Sequence, residues 1–481
     1  MMQWLRHPIP QSNIMNRVLI SAAHKSSGKT TVSIGICAAL KQRGISVQPF
    51  KKGPDYIDPM WLTQASGRAC RNLDFYLMDH NEVIASFVRN SSEFNLVEGN
   101  KGLYDGLALD GSNSNAALAK TLDLPVVLVI DARGMTRGIA PLILGYQAFD
   151  KEINIAGVIL NNLGGSRHES KLREVIAHYT DVPVIGAIQH DAQLTIIERH
   201  LGLMPSNESS ESAARINALG AAIESQVDLD KLIALSSRPP LTTPIPAASS
   251  ATLPASGTVT IGIAQDRAFG FYYADDLDAL AAAGAEIVSF DTTRDKHLPQ
   301  VDALFIGGGF PEVFAAELEA NSTMRSDIKH AIDTGMPVYA ECGGLMYLSR
   351  QISYKGKTHA MVGAIPGDVM MHNKPVGRGY VHLSEETQHP WQQLPAAGKN
   401  IKGHEFHYSS LENLPADSKF AYRVARGHGI DGQHDGYFKN NLLACYSHLR
   451  SVNSNPWASR FVNYIRQVKQ TQKSVELQTS H

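Results

Sequence analysis

Val18-Leu19-Ile20-Ser21-Ala22-Ala23-His24-Lys25-Ser26-Ser27-Gly28-Lys29-Thr30-Thr31 runs from aliphatic residues through a small polar loop into Gly-Lys-Thr. The aliphatic part predicts a buried strand, and the residues from about Lys29 to Arg43 predict a helix. A phosphate loop needs this strand-loop-helix context, because backbone N–H groups at the helix start face phosphate oxygens. Gly28, Lys29, Thr30 and Thr31 are therefore candidate ATP-binding residues, with Lys29 reaching the β- and γ-phosphates and Thr30 holding Mg²⁺. Ala23 stands where that motif has its first glycine, which is tolerable if its φ is negative.

Working outward, Val126–Ile130, Ala156–Leu160 and Pro183–Gly186 repeat the continuous aliphatic pattern between helix-like stretches. Such runs indicate a parallel sheet covered on both faces. Residues 236–257, SSRPPLTTPIPAASSATLPASG, hold five prolines in 22 positions and almost no charge, and read as a semi-extended linker. Val259–Ala264 then restarts a strand, Asp275–Ala283 reads as a helix, and Ala303–Ile306 and Val338–Ala340 read as strands. The expected plan is a first α/β domain over 17–235 and a second over 258–468, with a frayed polar tail from 469.

Composition narrows the class. In 481 residues, 43% are hydrophobic and 19% charged, and the net charge of -2 gives no field to attract nucleic acid or an anionic membrane. No apolar run approaches the length a membrane helix needs, and the first residues lack the apolar core of a signal peptide. Four scattered cysteines, none in a C-x-x-C pair, offer neither a zinc ribbon nor a disulfide framework. A reducing cytoplasm is expected; oligomeric state stays open, a homodimer being one option.

Three further clusters carry chemistry. Phe50-Lys51-Lys52-Gly53-Pro54-Asp55-Tyr56-Ile57-Asp58-Pro59 follows the second strand, where ligands bind beyond the carboxyl ends of such sheets. Glu98 ends another apolar stretch and is placed to bind Mg²⁺; Asp105 lies in the loop beyond it, though either acid alone could be a capping residue. In the second half, Tyr339-Ala340-Glu341-Cys342-Gly343-Gly344-Leu345 puts a thiol on a strand-to-helix turn like a nucleophile elbow, where a helix start lowers its pKa. Gly309, ending Gly307-Gly308-Gly309, and Gly343 are oxyanion-hole candidates, and His448 is the candidate base. Gly403-His404-Glu405-Phe406-His407-Tyr408 lacks the spacing of a zinc helix and reads as a site rim or a domain contact.

As a set these motifs resemble the cobyrinic acid a,c-diamide synthase family, over about residues 17–465 without the linker. The resemblance rests on Lys52–Pro59, Asn72-Leu73-Asp74, Gly102–Gly106, Glu198–Leu203, Gly307–Glu312, Glu341–Gly344 and Gly403–Ser409. It implies two α/β domains, a dethiobiotin-synthetase-like amido-ligase and a class I glutaminase, acting on tetrapyrrole carboxylates with ATP, Mg²⁺ and glutamine. By resemblance Lys29, Thr30 and Glu98 serve phosphate and Mg²⁺; Lys52, Asp55, Tyr56, Asp58 and Asp105 serve the acceptor carboxylate and γ-phosphate; Cys342 is the nucleophile and His448 its base.

Most class I glutaminases read His-x-Glu, whereas Leu449-Arg450 follows His448, so a Cys–His dyad with a loosely oriented imidazole is expected. Glu98-Gly99-Asn100-Lys101-Gly102-Leu103 also departs from the family's Glu-Gly-Val-Met-Gly-Leu and is similar to enzymes that amidate sirohaem. The leading expectation is amidation of the a and c acetates of cobyrinate. The alternatives are a sirohaem amide synthase and, from another class, a phosphate-loop ATPase switch with an idle glutaminase-like module.

Overall fold

Each aliphatic run of the first half forms a strand, because strands buried on both faces need no polar alternation. A computed structural model describes residues 14–191, 196, 198–199, 202–208, 211–241, 258–391 and 401–479. It divides into two compact units, Met1–Phe75 with Asp79–Pro246, and Tyr76–Met78 with Ala247–His481.

In the first unit seven strands pair in parallel, in the order Arg71–Leu73, Val47–Lys52, Phe94–Glu98, Met15–Ala22, Val126–Asp131, Ile155–Leu163, Val184–Gln189. Val126 to Val129 are fully buried, as helices on both faces require. Met15–Ala22 lies at the centre, flanked by Phe94–Glu98 and Val126–Asp131. That puts its loop beside the end of the strand carrying Glu98.

The linker begins later than its composition suggests. Ser236 closes the helix Leu229–Ser236, and Ser237 and Arg238 pair antiparallel with Met15 and Asn16. Prolines cannot extend this pairing, which stops before Pro239. Residues 242–257 lie outside the described residues, as do His200 and Leu201 of the Glu198–Leu203 motif.

The second unit has a mixed sheet. Ala285–Phe290, Val259–Ala264, Ala303–Ile306, Val338–Glu341 and Leu442–Cys445 run parallel. His434–Lys439, Lys419–Arg426, Gly377–Glu385, Ile401–His407 and His448–Leu449 continue it antiparallel. His448 follows Cys445 closely in sequence, yet its strand pairs with Ile401–His407 at the far edge, so this part of the sheet curls round on itself. Alternate side chains feed two cores, as the pleat dictates. Leu304, Ile306, Val338 and Ala340 enter one, and Ala303, Phe305 and Tyr339 the other.

The tail expected to fray from residue 469 is instead helical, since Trp457–Thr479 is one helix. Trp457, Phe461 and Ile465 are fully buried on the second core, and the Lys469 ammonium lies 2.5 Å from Asp302. A polar sequence hid this because only the first turns of the helix carry the apolar anchors.

Candidate active sites

The loop of the first unit is built by backbone conformation as much as by side chains. Ser26 (φ 63°) and Gly28 (φ 88°) take left-handed conformations, and a Cβ on Gly28 would fall 2.1 Å from the Asn161 amide nitrogen. Asn161 Nδ2 donates to the Ser27 carbonyl at 3.0 Å, and Ser27 Oγ donates to the His24 carbonyl at 2.9 Å, so the loop is tied to itself and to the sheet. Ala23 is not in the positive-φ region, so the missing glycine imposes no strain there. A cleft of about 160 Å³ beside the loop is lined by Gly28, Thr31, Asn161, Gln189 and His190, among others.

Thr30, Asp58 and Glu98 converge. The Thr30 hydroxyl donates to Glu98 Oε1 at 2.6 Å and lies 3.2 Å from Asp58 Oδ2. Glu98 is fully buried, and its Oε2 has no hydrogen-bond partner. Burial raises its pKa, against the pull of Lys51. Lys29 is nearly buried too; desolvation lowers its pKa and the Glu98 charge opposes that.

A residue without an assigned role completes the cluster. Lys51 Nζ sits 2.5 Å from Asp58, 3.0 Å from Glu98 and 3.8 Å from Asp55. Burial works against its charge, but the Asp58, Glu98 and Asp55 charges outweigh it and raise its pKa. Lys52, singled out from the sequence, points away, because successive strand side chains leave opposite faces. Its ammonium donates to the Asn113 carbonyl at 2.7 Å, and burial lowers its pKa to about 8.

Asp55 Oδ1 accepts the backbone N–H groups of Ile57 and Asp58, while burial and then Asp58 raise its pKa to about 7. Tyr56 is buried. Asp105 is exposed, and its carboxylate accepts the Gly102 N–H at 2.9 Å, the turn-capping role left open for it.

In the second unit Cys342 is held at φ 46° and ψ -103°, a strained turn at the end of Val338–Glu341, before the short helix Gly343–Leu348. Its N–H donates to the Cys445 carbonyl at 2.7 Å. The glycines after it are sterically required. A Cβ on Gly344 would lie 2.0 Å from the Ile306 carbonyl oxygen, and one on Gly343 would lie 2.9 Å from the Gly309 nitrogen. The same approach brings the Gly309 backbone against the turn that carries Cys342.

His448 is positioned by a buried acid in the neighbouring strand. Asp435 accepts the N–H groups of Tyr446 and Ser447, at 2.9 and 3.0 Å, and so shapes the turn that delivers the imidazole. The ring lies within hydrogen-bonding reach of Cys342, and a Cβ on Gly308 would meet its Cε1 at 2.6 Å. Its Nδ1 is 3.2 Å from Glu341 Oε2. Glu341 Oε1 accepts the Leu449 N–H at 2.9 Å and the Tyr339 hydroxyl at 2.6 Å.

The expected dyad is therefore corrected: an acid does address the imidazole, from the residue before Cys342 and not from two residues after His448. Burial opposes the charge of His448, but the hydrogen bonds and charges of Cys342 and Glu341 outweigh it and raise its pKa to about 10. His404 pairs with His448 across the sheet, ring centroids 6.4 Å apart, and burial lowers its pKa to about 3.

The second unit thus presents the apparatus of a glutaminase, and the first that of a nucleotide-dependent ligase. Residues 260–456 match the CobB/CobQ-like glutamine amidotransferase domain, and residues 19–203 match the CobQ/CobB/MinD/ParA nucleotide binding domain. Cobyrinate a,c-diamide synthase of Magnetococcus marinus is 45% identical over 457 residues, covering 94% of this chain and 97% of the relative. The synthase of Methanosarcina acetivorans is 46% identical over 466 residues, covering 91% and 92%; that of Listeria innocua is 40% identical over 442 residues, covering 90% and 96%. The chain belongs to the cobyrinate a,c-diamide synthase family, and is an enzyme: a ligase with glutamine as amide donor.

Among the described residues, no helix is long and apolar enough to cross a membrane, and all four cysteines are free thiols.

Proposed function

We propose that this enzyme converts the a and c acetate side chains of cobyrinate to amides, using ATP and glutamine, in the cytoplasm. The observation that carries the reading is that one chain holds both a thiol–imidazole–carboxylate array and a phosphate loop facing buried acids. The names of the relatives favour cobyrinate over sirohaem, and a pure ATPase switch has no use for the thiol array. Residues 17–235 form the ligase, and residues 258–468 the glutaminase.

In the ligase a substrate carboxylate attacks the γ-phosphorus of ATP, giving an acyl phosphate and ADP. Lys29 and the N–H groups around Gly28, Thr30 and Thr31 hold the phosphate charge. Thr30, Asp58 and Glu98 fit Mg²⁺: they are hard oxygen donors that already meet, and Glu98 Oε2 lacks any other partner. Mg²⁺ held there would neutralise phosphate oxygens. Lys52, Asp55, Tyr56 and Asp105 are assigned to the acceptor carboxylate.

In the glutaminase the Cys342 thiolate adds to the glutamine amide carbon, and the N–H groups of Gly309 and Gly343 hold the oxyanion. As the C–N bond breaks, His448 passes its proton to the leaving nitrogen, releasing ammonia. Water then hydrolyses the thioester to glutamate. Ammonia adds to the acyl phosphate carbonyl, and phosphate leaves with its C–O bond.

The test pairs purified enzyme, ATP and glutamine with cobyrinate or sirohaem and counts converted carboxylates by mass spectrometry. Conversion of two on cobyrinate is expected; conversion on sirohaem alone overturns the substrate assignment. Cys342→Ala should abolish glutamine use while ammonia-dependent amidation persists, and loss of both would contradict separate sites.

A further inference from the structure

We infer that Glu341 is the positioning residue of the glutaminase: it holds the His448 imidazole with its proton on Nδ1, leaving Nε2 to take and return the Cys342 proton. This rests on the reading of Cys342 as the glutaminase nucleophile. The carboxylate is buried and fully committed. One oxygen accepts the Leu449 N–H and the Tyr339 hydroxyl, and the other faces Nδ1 at 3.2 Å. A carboxylate offers only acceptors, so the ring nitrogen facing it must be the donor.

Three further groups stand against the ring, and none is a carboxylate. Cys342 lies within hydrogen-bonding reach of the ring, Gly308 presents backbone, and His404, held neutral by burial, stands 6.4 Å away between centroids. Glu341 and Cys342 are consecutive at one strand end, so the turn that strains the thiol also aims the acid. The orientation elsewhere supplied from two residues beyond the histidine is supplied here from the end of Val338–Glu341, whose parallel neighbour Leu442–Cys445 leads into the turn before His448.

The two donors on Oε1 give the proposal a sharp test. A glutamine at 341 must turn its carbonyl oxygen toward Leu449 and Tyr339, which places its NH₂ against Nδ1. That forces Nδ1 to accept and leaves the ring proton on Nε2, where it cannot receive another from the thiol. Glu341→Gln is close to isosteric, so it changes tautomer more than packing.

We expect E341Q to lower glutamine-dependent kcat by at least about a hundredfold, as a misplaced triad tautomer does. KM for glutamine should change little, and ammonia-dependent amidation should stay at the wild-type rate. The pH profile of Cys342 alkylation by iodoacetamide should shift upward, which a merely structural role would not produce. Wild-type glutamine kinetics and alkylation profile in E341Q would overturn the inference. Retained glutamine use in C342A would instead sink the underlying reading.

Should E341Q not fold, ¹⁵N-histidine spectra of the wild-type enzyme decide, with the His448 signal identified by its loss in H448N. A protonated Nδ1 is expected, and an unprotonated Nδ1 overturns the proposal.

Discussion

Two pairs of adjacent residues divide the labour of each site. Lys51 enters the acidic cluster while Lys52 turns to Asn113; Glu341 faces the His448 imidazole while Cys342 occupies the strained turn. Both outcomes follow from the twofold alternation of a strand and its end. The histidine gives a pH signature. Its pKa is raised from 6.5 to about 10, so the protonated form is favoured in the folded protein. That contribution to stability is whole below about 6.5, shrinks as pH rises above it, and is gone once pH passes about 10. Chemical denaturation of wild type and His448→Asn should therefore show a gap that is wide near pH ~6 and closes near pH ~10.5; a gap constant with pH would contradict the ion-paired imidazole.

At the scale of elements, the nucleophile turn depends on three passing backbones: the Gly307–Gly309 strand end, the start of the helix at Gly343, and the carbonyl of Ile306. The Cβ of an alanine at 344 would collide with backbone, which cannot swing aside as a side chain can. Gly344→Ala should cost about 3 kcal/mol in urea unfolding and remove glutaminase activity, with ammonia-dependent amidation spared. Full stability would mean the turn has slack that the close contacts deny. The terminal helix makes the opposite point. Trp457 is buried among Phe305, Tyr339 and Trp391, and its indole N–H donates to Asp276 at 3.2 Å. Its first turns belong to the core, although the polar composition beyond residue 469 suggested fraying.

At the scale of the molecule, two chemistries occupy two units, and substitutions should separate them. Glu98→Gln removes a buried carboxylate from the ligase alone. It should abolish amidation from glutamine and from ammonia alike, while the rate of Cys342 alkylation stays at the wild-type value. A Glu98→Gln enzyme still amidating with ammonia would remove Glu98 from the ligase site.

The phosphate loop, the acid at the end of Phe94–Glu98, the thiol turn and His448 were all legible in the chain, because each depends on local spacing: a strand, a tight turn, a helix start. The alternation of aliphatic runs likewise announced two α/β units. Partnership across strands was not legible. Nothing local says that Glu341 meets His448, 107 positions on, or that Lys51 and not Lys52 meets Glu98. Register and the curl of the sheet decide those meetings, and a buried charge accepts its position only where that geometry brings it a partner.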